Sequence, residues 1–399
     1  MTLSFGRPFL AIPGPSVMPD RVLAVMHRPG PNIYEGELVE MMPDLIEGLR
    51  GVARTRHDVA IYIANGHGVW EAALANVLSE GDKVLSLCTG RFGHGWNEIA
   101  EALGIEVQVE EFGMRAPVDP DRVEAALRAD KDHKIRAVLM THVDTSTSIL
   151  NDVAAVRAAI DAVQHPALIM ADCIASMGCD RFEMDAWGVD VALAASQKGL
   201  MVPPGVGFVF FNDKAIAARA RLGRVSRYWD WTDRANPEVF YQYFAGTAPT
   251  HHLYGLKEAL TMIHEEGGME AVWNRHAHLA RAVWAAFETW SQDGPLELNV
   301  ANPAHRSCAV TSIRIGAPHG TMLRRWTEEK TGVTLGIGLG MDSEEDPNAD
   351  GFFRLGHMGH LNAPMVMGAL SSIQSGLIAL DIPHGDGALD AAARVIAEA

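Results

Sequence analysis

The sequence predicts an α/β fold in which a mostly parallel sheet is covered by helices on both faces. Between about residues 59 and 211, short apolar runs alternate with amphipathic stretches of helical length. Strands separated by helices indicate βαβ units and therefore parallel pairing. The apolar runs are continuous rather than alternating, which is typical of strands buried on both faces. After about residue 250 the pattern changes to long helical stretches, which predict a smaller α+β unit.

The large sheet is predicted to have seven strands with helices between most of them. The strands are expected at Val59–Ala64, Lys83–Leu87, Ile105–Val109, Ile135–Met140, Ala167–Ala171, Val189–Ala194 and Val206–Phe211. Helices are expected at Val69–Leu78, Gly93–Leu103, Pro120–Ala129 and Asp152–Val163. The third begins with a proline, and the fourth has Asn151 or Asp152 near its N-cap, both of which favour helix starts.

The C-terminal part of the chain is predicted to contain long helices and one clear strand. Helices are expected at His252–His264, Gly268–Trp290, Thr321–Thr331 and about 363–380, with a strand at Ala309–Ile315. A Gly-rich segment, Gly332–Gly340, and an acidic loop, Asp342–Asp350, lie before the last helix. We expect an N-terminal arm (1–20), a large cofactor-binding domain (21–260) and a small C-terminal domain (261–399).

Composition excludes several classes of protein. The 399 residues include 33 Lys and Arg against 50 Asp and Glu, a net charge of −17, which repels nucleic acid. The 4 cysteines form no CxxC pair, so neither a disulfide framework nor a structural zinc site is predicted. The early apolar run Phe9–Ile12 ends at Pro13, and no run is long enough for a membrane helix. We expect a soluble, cytoplasmic protein with no membrane partner.

Three strand ends carry candidate chemistry, because ligands of open α/β sheets bind outside the carboxyl ends of the strands. Asn65-Gly66-His67-Gly68 follows the first strand and precedes a helix, so its N–H groups could hold a phosphate. The alternative is an ordinary turn capped by Asn65.

Asp172 and Lys198 follow two successive strands of the same sheet. Asp172 could keep a ring nitrogen protonated, or it could only cap a turn. Most lysines are solvated, but burial at the sheet edge would lower the pKa of Lys198 and make it a nucleophile for Schiff-base chemistry. A phosphate cradle, an acid and a lysine together fit pyridoxal phosphate.

Three further elements fit the same cofactor. Phe92 follows another strand and could stack on the ring, or it could be a core aromatic. The hydroxyl-rich segment 141–147 could bond the ring hydroxyl or the phosphate. Arg354 lies between apolar residues, so its guanidinium suits a buried α-carboxylate, although an ion pair with the acidic loop is the alternative.

At these residues the chain resembles the class V, fold-type I pyridoxal-phosphate aminotransferases, specifically the alanine/serine/aspartate–glyoxylate group. The resemblance runs over nearly the whole chain. The motifs that carry it are Ile12-Pro13-Gly14-Pro15-Ser16, Gly66-His67-Gly68-Val69-Trp70-Glu71-Ala72-Ala73, Thr141-His142, Asp172, Ser196-Gln197-Lys198-Gly199, Gly246-Thr247-Ala248-Pro249 and Arg354-Leu355-Gly356-His357.

The resemblance implies a role for each candidate and a homodimer with its sites at the subunit interface. Lys198 and Asp172 are the implied catalytic residues, and Arg354 the implied ligand of the substrate carboxylate. The implied cofactor-binding residues are Gly66, His67, Gly68, Phe92, Ser146 or Thr147, Asp172, Gln197 and Lys198, with Tyr243 and Thr247 reaching the phosphate from the second subunit.

The resemblance also implies the reaction. An L-amino acid would donate its amino group to glyoxylate, giving glycine and a 2-oxo acid. The likeness to bacterial glyoxylate aminotransferases favours aspartate as the donor, with oxaloacetate as its product, and leaves serine and alanine as alternatives. Aspartate needs a second cation or several hydroxyls for its side chain, and the candidate cations are Arg28, Arg224, Arg227, His251 and His252.

Three other activities are less consistent with the sequence. Cysteine desulfurases of this fold need a cysteine in the loop before the carboxylate-binding arginine, and Gly332–Phe353 contains none. A nicotinamide dehydrogenase would need G-x-G-x-x-G with an acid further on, which is missing after the first strand. Phosphoserine aminotransferase motifs match less well.

Overall fold

A computed structural model describes residues 2–399 and contains two main β-sheets with helices around them. In chain order the strands are β1 Phe9–Ala11, β2 Asp58–Tyr62, β3 Lys83–Cys88, β4 Glu106–Glu111, β5 Ile135–Thr141, β6 Val143–Asp144, β7 Ile149–Leu150, β8 Leu168–Asp172, β9 Val191–Ala195, β10 Gly207–Phe211, β11 Glu297–Leu298, β12 Val310–Arg314, β13 Val333–Ile337 and β14 Phe352–Gly356.

The helices alternate with these strands in the first half of the chain and dominate the second half. They are α1 Asp20–Met26, α2 Glu37–Glu40, α3 Met42–Ala53, α4 Gly66–Val77, α5 Arg91–Ala102, α6 Pro120–Ala129, α7 Val153–Ala162, α8 Asp213–Arg219, α9 Thr232–Ala235, α10 Thr250–Glu266, α11 Met269–Trp290, α12 His319–Thr331, α13 Ala363–Ala379 and α14 Ala388–Ile396. Among residues 2–399, no helix combines the length and apolar character needed to cross a membrane.

The large sheet contains the seven predicted strands in the order β2-β10-β9-β8-β5-β3-β4. Strands β9, β8, β5, β3 and β4 pair in parallel, whereas β10 is antiparallel to both of its neighbours. The predicted α/β class with a mostly parallel sheet is therefore confirmed. The carboxyl ends of β8 and β9 lie side by side, because these two strands are neighbours in the sheet.

Both faces of the large sheet are buried, which explains the continuous apolar runs. Along β8, Ile169 and Ala171 pack into one core, while Leu168 and Met170 pack into the core on the opposite face. Successive strand residues point to opposite faces, so every position must be apolar when both faces are covered by helices. The central strands of the sheet are therefore buried along their length, whereas the edge strand β4 is partly exposed.

The small sheet has the order β1-β13-β14-β12-β11 and begins with residues from the start of the chain. Strand β1 pairs in parallel with β13, with Phe9 opposite Val333 and Ala11 opposite Leu335. The Gly-rich segment 332–340, to which no strand was assigned from the sequence, contains β13, because Val333 and Leu335 alternate into the small core. Helix α14 also follows the helix that was expected to be last. The domain boundaries stay a prediction.

The N-terminal segment passes very close to β14. A Cβ atom at Gly356 would lie 2.2 Å from the carbonyl oxygen of Ile12 and 2.7 Å from the nitrogen of Pro13. Both contacts are with backbone, which cannot move aside as the end of a flexible side chain can. Glycine is required here by this approach, and the approach sets the position of Pro13.

We expect Gly356→Ala to destabilise the protein by about 1–3 kcal/mol, the usual range for overpacking a tight site. Gly368→Ala is the matched control, because Gly368 lies in α13 and a methyl group added there would meet no atom within 4 Å. That control should gain about 0.5–1 kcal/mol from helix propensity. Urea unfolding measures both changes, and equal effects at the two glycines would contradict the close approach.

Candidate active site

A pocket of about 290 Å³ opens where the strands of the large sheet end. It brings together six of the residues predicted from the sequence, namely Gly66, His67, Phe92, Asp172, Gln197 and Lys198. Gly14, Pro15, Asn65, Trp70, Thr145 and Pro204 also line it. The pocket therefore contains residues from the N-terminal segment, from helices α4 and α5, and from the ends of β8 and β9.

Lys198 follows β9, and its amine is buried in the pocket. Its Nζ donates a hydrogen bond to the carbonyl oxygen of Pro13 at 2.5 Å. Burial and, to a smaller extent, the positive charge of Arg354 together lower the pKa of Lys198 to about 8, although the carboxylate of Asp172 opposes the shift. A substantial fraction of the amine is consequently neutral near physiological pH, which is the form that acts as a nucleophile.

Gly14 adopts a left-handed backbone conformation that favours glycine, and the Lys198 side chain lies against it. Its φ is +96°, and a Cβ there would fall 2.5 Å from Nζ of Lys198. Ser16 adds two bonds to the same loop, its N–H donating to the Gln197 carbonyl at 2.9 Å and its hydroxyl to the Lys198 carbonyl at 2.7 Å. The N-terminal segment thus holds the lysine loop from one side.

Asp172 ends β8 next to the strand that carries Lys198. One carboxylate oxygen accepts from the Ile174 N–H at 2.8 Å, and the other accepts from the indole Nε1 of Trp70 at 2.9 Å. Burial raises the pKa of Asp172 to about 7, and the two hydrogen bonds partly offset that rise. A cation brought close to this carboxylate would favour its ionised form.

Helix α4 begins at Gly66, three residues earlier than expected, so the predicted phosphate loop is the first turn of the helix. Asn65 caps the helix, its side chain accepting from the Gly68 N–H at 3.2 Å. Gly68 does not line the pocket, and its contact with a phosphate stays a prediction. Gly66 and His67 supply the remaining donors of this turn, at the positive end of the helix dipole.

Trp70 is a site residue to which sequence reasoning assigned no role. It lies one helical turn beyond Gly66, which places its ring on the pocket side of α4. The ring packs edge-on against His67 at 4.7 Å between centroids and stacks on Trp96 at 6.2 Å. This packing orients the indole N–H towards Asp172. Gly66 and Trp70 are four residues apart in one helix, and this spacing could have identified Trp70 as a pocket residue from the sequence.

The Thr/Ser segment contributes a different residue from those predicted. Ser146 donates its hydroxyl to Asp144 at 2.5 Å, and Thr147 donates its hydroxyl to the Thr89 carbonyl at 3.0 Å. Neither lines the pocket, whereas Thr145 does. Thr145 is thus the residue of this segment that faces the pocket, and a cofactor contact of Ser146 or Thr147 stays a prediction. The hydroxyls of Ser146 and Thr147 hold the loop together instead.

Phe92 lines the pocket at the start of α5 and is held there by Asp144. The buried carboxylate of Asp144 accepts from the Phe92 N–H at 2.8 Å and from the Gly93 N–H at 3.2 Å. Phe92 is therefore both a partly buried core residue and a pocket wall, so the two interpretations of this aromatic are compatible.

Arg354 lies on β14 with 6% of its surface exposed. Its Nε donates to the Ile337 carbonyl at 2.7 Å and its Nη1 to the Thr145 carbonyl at 2.9 Å, so the predicted alternative of an ion pair with the acidic loop is not formed. Burial lowers the pKa of Arg354 to about 10, and it stays a cation at neutral pH. The Thr145 bond places this cation behind the pocket wall.

Tyr243 and Thr247 do not line the pocket of their own chain either. Tyr243 is half-buried, and Thr247 is exposed in a turn. They were expected to reach the site of a second subunit, which one chain does not test, so their role stays a prediction.

Comparison with known proteins identifies the family. The model of the class V aminotransferases matches residues 55–340. The chain belongs to this family. A serine–glyoxylate aminotransferase of Methylorubrum extorquens is 37% identical over 384 residues, covering 94% of this chain and 92% of the relative. An L-aspartate–glyoxylate aminotransferase of Paracoccus denitrificans is 35% identical over 378 residues, covering 93% and 91%.

A solved structure supports the same assignment of this class V aminotransferase. Ureidoglycine–glyoxylate aminotransferase from Bacillus subtilis matches it with a TM-score of 0.88 at 26% identity, covering 98% of both chains. The fold is therefore that of the fold-type I enzymes, and the dehydrogenase alternative is wrong. Enzymes of this family depend on pyridoxal phosphate, and so does this aminotransferase.

The pocket of this aminotransferase fits pyridoxal phosphate. It offers a buried amine, a buried acid and the start of a helix, which are the partners of an aldehyde, a ring nitrogen and a phosphate. In addition, Oε1 of Gln197 is buried without a hydrogen-bond partner among residues 2–399. A buried acceptor without a donor is costly, and a ligand in the pocket can supply one.

We expect Asp172→Asn to change how stability depends on pH in the cofactor-free enzyme. An acid whose pKa rises on folding, here from 3.8 to about 7, contributes stability at low pH and loses it as the pH rises through the folded value. The free energy of unfolding of the unsubstituted enzyme minus that of the variant should therefore fall between about pH 4 and about pH 7. Urea unfolding at fixed protein concentration measures this difference.

Asp132→Asn is the matched control, because the Asp132 side chain is 79% exposed. No comparable pH trend is expected for this variant. A constant difference between the unsubstituted enzyme and Asp172→Asn across the same range would show that Asp172 is not a desolvated acid.

Proposed function

We propose that this enzyme transfers the amino group of a small L-amino acid to glyoxylate, with Lys198 and Asp172 as its catalytic residues. The observation that carries the proposal is the placement of both side chains in one buried pocket, on neighbouring strand ends, with Arg354 behind the wall. Glyoxylate as the acceptor is supported by the names of the relatives in Methylorubrum extorquens and Paracoccus denitrificans.

Bound pyridoxal phosphate supplies an aldehyde and a ring that withdraws electrons from the bond being broken. Lys198 has the pKa of a nucleophile and proton carrier at neutral pH, so its Nζ can take a proton from the substrate α-carbon and return one on the product side. Asp172 is placed to hold a proton at the ring nitrogen, and Trp70 fixes the direction of its carboxylate. Phe92 and the walls around it exclude water.

Substrate and cofactor anions are bound at separate places in this proposal. The N–H groups of Gly66 and His67 hold the phosphate at the start of α4, and Thr145 and Gln197 supply polar contacts within the pocket. The planar guanidinium of Arg354 holds the α-carboxylate of the donor and of glyoxylate in turn. Its buried position makes that interaction strong, because little water competes for the charge.

We also propose a homodimer in which Tyr243 and Thr247 of one chain contact the cofactor phosphate of the other. The segment that carries them exposes apolar side chains, with Val239 48% and Tyr241 57% accessible. Exposed apolar residues clustered in one segment are typical of a protein interface. A dimer that buries this segment would bring the two polar side chains to the neighbouring site.

Aspartate is the donor that we favour, with serine as the second candidate. Two arginines, Arg224 and Arg227, lie in an exposed loop that follows α8. The nearby ion pair is formed by Arg219 and Asp230 and does not involve them. Trp229 anchors this loop beside the phosphate turn, 3.4 Å from the position of a Cβ at Gly68. Either arginine could reach a second carboxylate. Serine remains the second candidate because no arginine is among the residues that line the pocket of the single chain, as described for residues 2–399. A donor without a side-chain carboxylate needs no second arginine there.

The other cations considered for a second carboxylate are already engaged. Arg28 pairs with Glu37 at 3.0 Å and lies over the ring of Tyr254. His251 bonds the Arg28 carbonyl at 3.0 Å, and His252 lies 3.3 Å from the Pro204 carbonyl. These contacts leave Arg224 and Arg227 as the candidates for the specificity of an acidic donor.

Lys198→Ala should lower kcat by about 10²–10⁴-fold or more, the range of general acid–base catalysis. Borohydride reduction followed by peptide mapping should attach the reduced cofactor to Lys198 in the unsubstituted enzyme and nowhere in the variant. Lys134→Ala is the matched control, since the Lys134 side chain is 71% exposed. Labelling at another lysine, or full activity in Lys198→Ala, would refute the catalytic assignment.

Steady-state kinetics with glyoxylate held constant should give aspartate a higher kcat/KM than serine or alanine. Replacing Arg224 and Arg227 together by alanine should lower kcat/KM for aspartate by about 10-fold or more, the cost of one charge-assisted hydrogen bond, and leave serine within about 2-fold. If serine is the best donor of the unsubstituted enzyme, the aspartate assignment is wrong while the aminotransferase proposal stands.

A further inference from the structure

A group of three metal-binding side chains lies at the edge of the large sheet, outside the pocket described above. Cys88 ends β3 and Glu111 ends β4, and these two residues are direct partners in the parallel register. Partners in register point to the same face of a sheet. His94 lies in the first turns of α5, the helix that follows β3 and packs back over this strand pair. The three residues therefore converge from two strands and one helix.

The geometry of the group is close to that of a zinc site. The sulfur of Cys88, a ring nitrogen of His94 and a carboxylate oxygen of Glu111 all lie within 4.8 Å of one another. Nε2 of His94 is already 3.2 Å from Oε1 of Glu111. Ligand atoms around a tetrahedral zinc ion are about 3.5 Å apart, given metal–ligand distances of about 2.0–2.3 Å. His94 and Glu111 are 44% and 56% exposed, so both can close on an ion.

The surroundings of Cys88 contain a hydrogen-bond donor that would support a metal-bound sulfur. Asn97, one turn after His94 on α5, donates its side-chain N–H to the Cys88 sulfur at 3.3 Å. Its Oδ1 is buried without a partner among the described residues, so the amide directs its donor, not its acceptor, at the sulfur. A donor aimed at a ligand atom is the usual support for metal ligation.

A simple surface ion pair explains only part of this arrangement. His94 and Glu111 could pair at the surface without any ion. That pair does not explain why a buried cysteine with an N–H donor lies directly beneath it. The full set of one sulfur, one imidazole and one carboxylate is a donor set that zinc takes readily.

We propose that Cys88, His94 and Glu111 bind one Zn²⁺ ion per chain, with water as the fourth ligand. The Cys88 sulfur gives its proton to solvent as the Zn–S bond forms, and no electron is transferred. The thiolate and the carboxylate balance the two positive charges of the ion. Phe92 lies on the same helix as His94, so the ion fixes the first turns of α5 beside the cofactor pocket.

The test is a metal titration of the cofactor-loaded enzyme without a histidine tag, in a buffer free of amino acids. ZnCl₂ followed by calorimetry should show one saturable site per chain. Co²⁺ in place of Zn²⁺ should give the visible d–d bands of a tetrahedral ion, at longer wavelengths than the cofactor absorbs. Neither readout depends on enzyme activity.

His94→Ala and Glu111→Gln are the decisive variants, because both residues are partly exposed and replaceable without disturbing the core. Each should weaken Zn²⁺ binding by about 100-fold or more, beyond the 10–100-fold typical of supporting residues. Cys88→Ser should remove the intensity that sulfur gives to the Co²⁺ bands. Cys308→Ser is the matched control, a thiol remote from the group in sequence, and should bind Zn²⁺ like the unsubstituted enzyme.

Two outcomes would overturn the proposal. One is the lack of a saturable site with one ion per chain in the unsubstituted enzyme. The other is unchanged affinity in His94→Ala and Glu111→Gln, which would place the ion elsewhere. If Cys88→Ser does not fold, as judged by circular dichroism and cofactor absorption, the two exposed variants decide the question alone.

Discussion

The burial of one amine opposite one carboxylate is the constraint on which the rest of this structure depends. A lysine loses hydration when it is buried, and only a rigid surrounding keeps the chain from turning it towards water. The large sheet supplies that rigidity, because both of its faces are covered and its strand ends cannot shift independently. Lys198 and Asp172 are consequently held on neighbouring strands, where each perturbs the pKa of the other.

Much of the fold and the centre of the site could be predicted from the sequence. The ends of strands can be predicted because the apolar runs stop abruptly. Asp172 and Lys198 each follow the end of such a run. The two residues could be expected to lie side by side because successive parallel strands are usually neighbours in a sheet. The glycine turn before α4 was identified for the same reason, although the helix begins at Gly66 rather than after the glycines.

The remainder depended on contacts that no local pattern encodes. Whether Thr145 or its neighbours face the pocket is decided by the bonds of Ser146 to Asp144 and of Thr147 to Thr89. Trp70 acquires its role only because β8 ends opposite α4. Strand β1 has three residues and no alternation of its own, and β13 lies in a Gly-rich segment to which no strand was assigned from the sequence. Both become strands because they pair with each other across almost the whole chain.

That pairing also determines when the lysine loop can be completed during synthesis. Residues 9–11 are made more than three hundred residues before their partner strand. Pro13, Gly14 and Ser16, which hold Lys198 from one side, follow directly after β1. A chain that has already formed the large sheet therefore still lacks one wall around its lysine until β13 is made and pairs with β1.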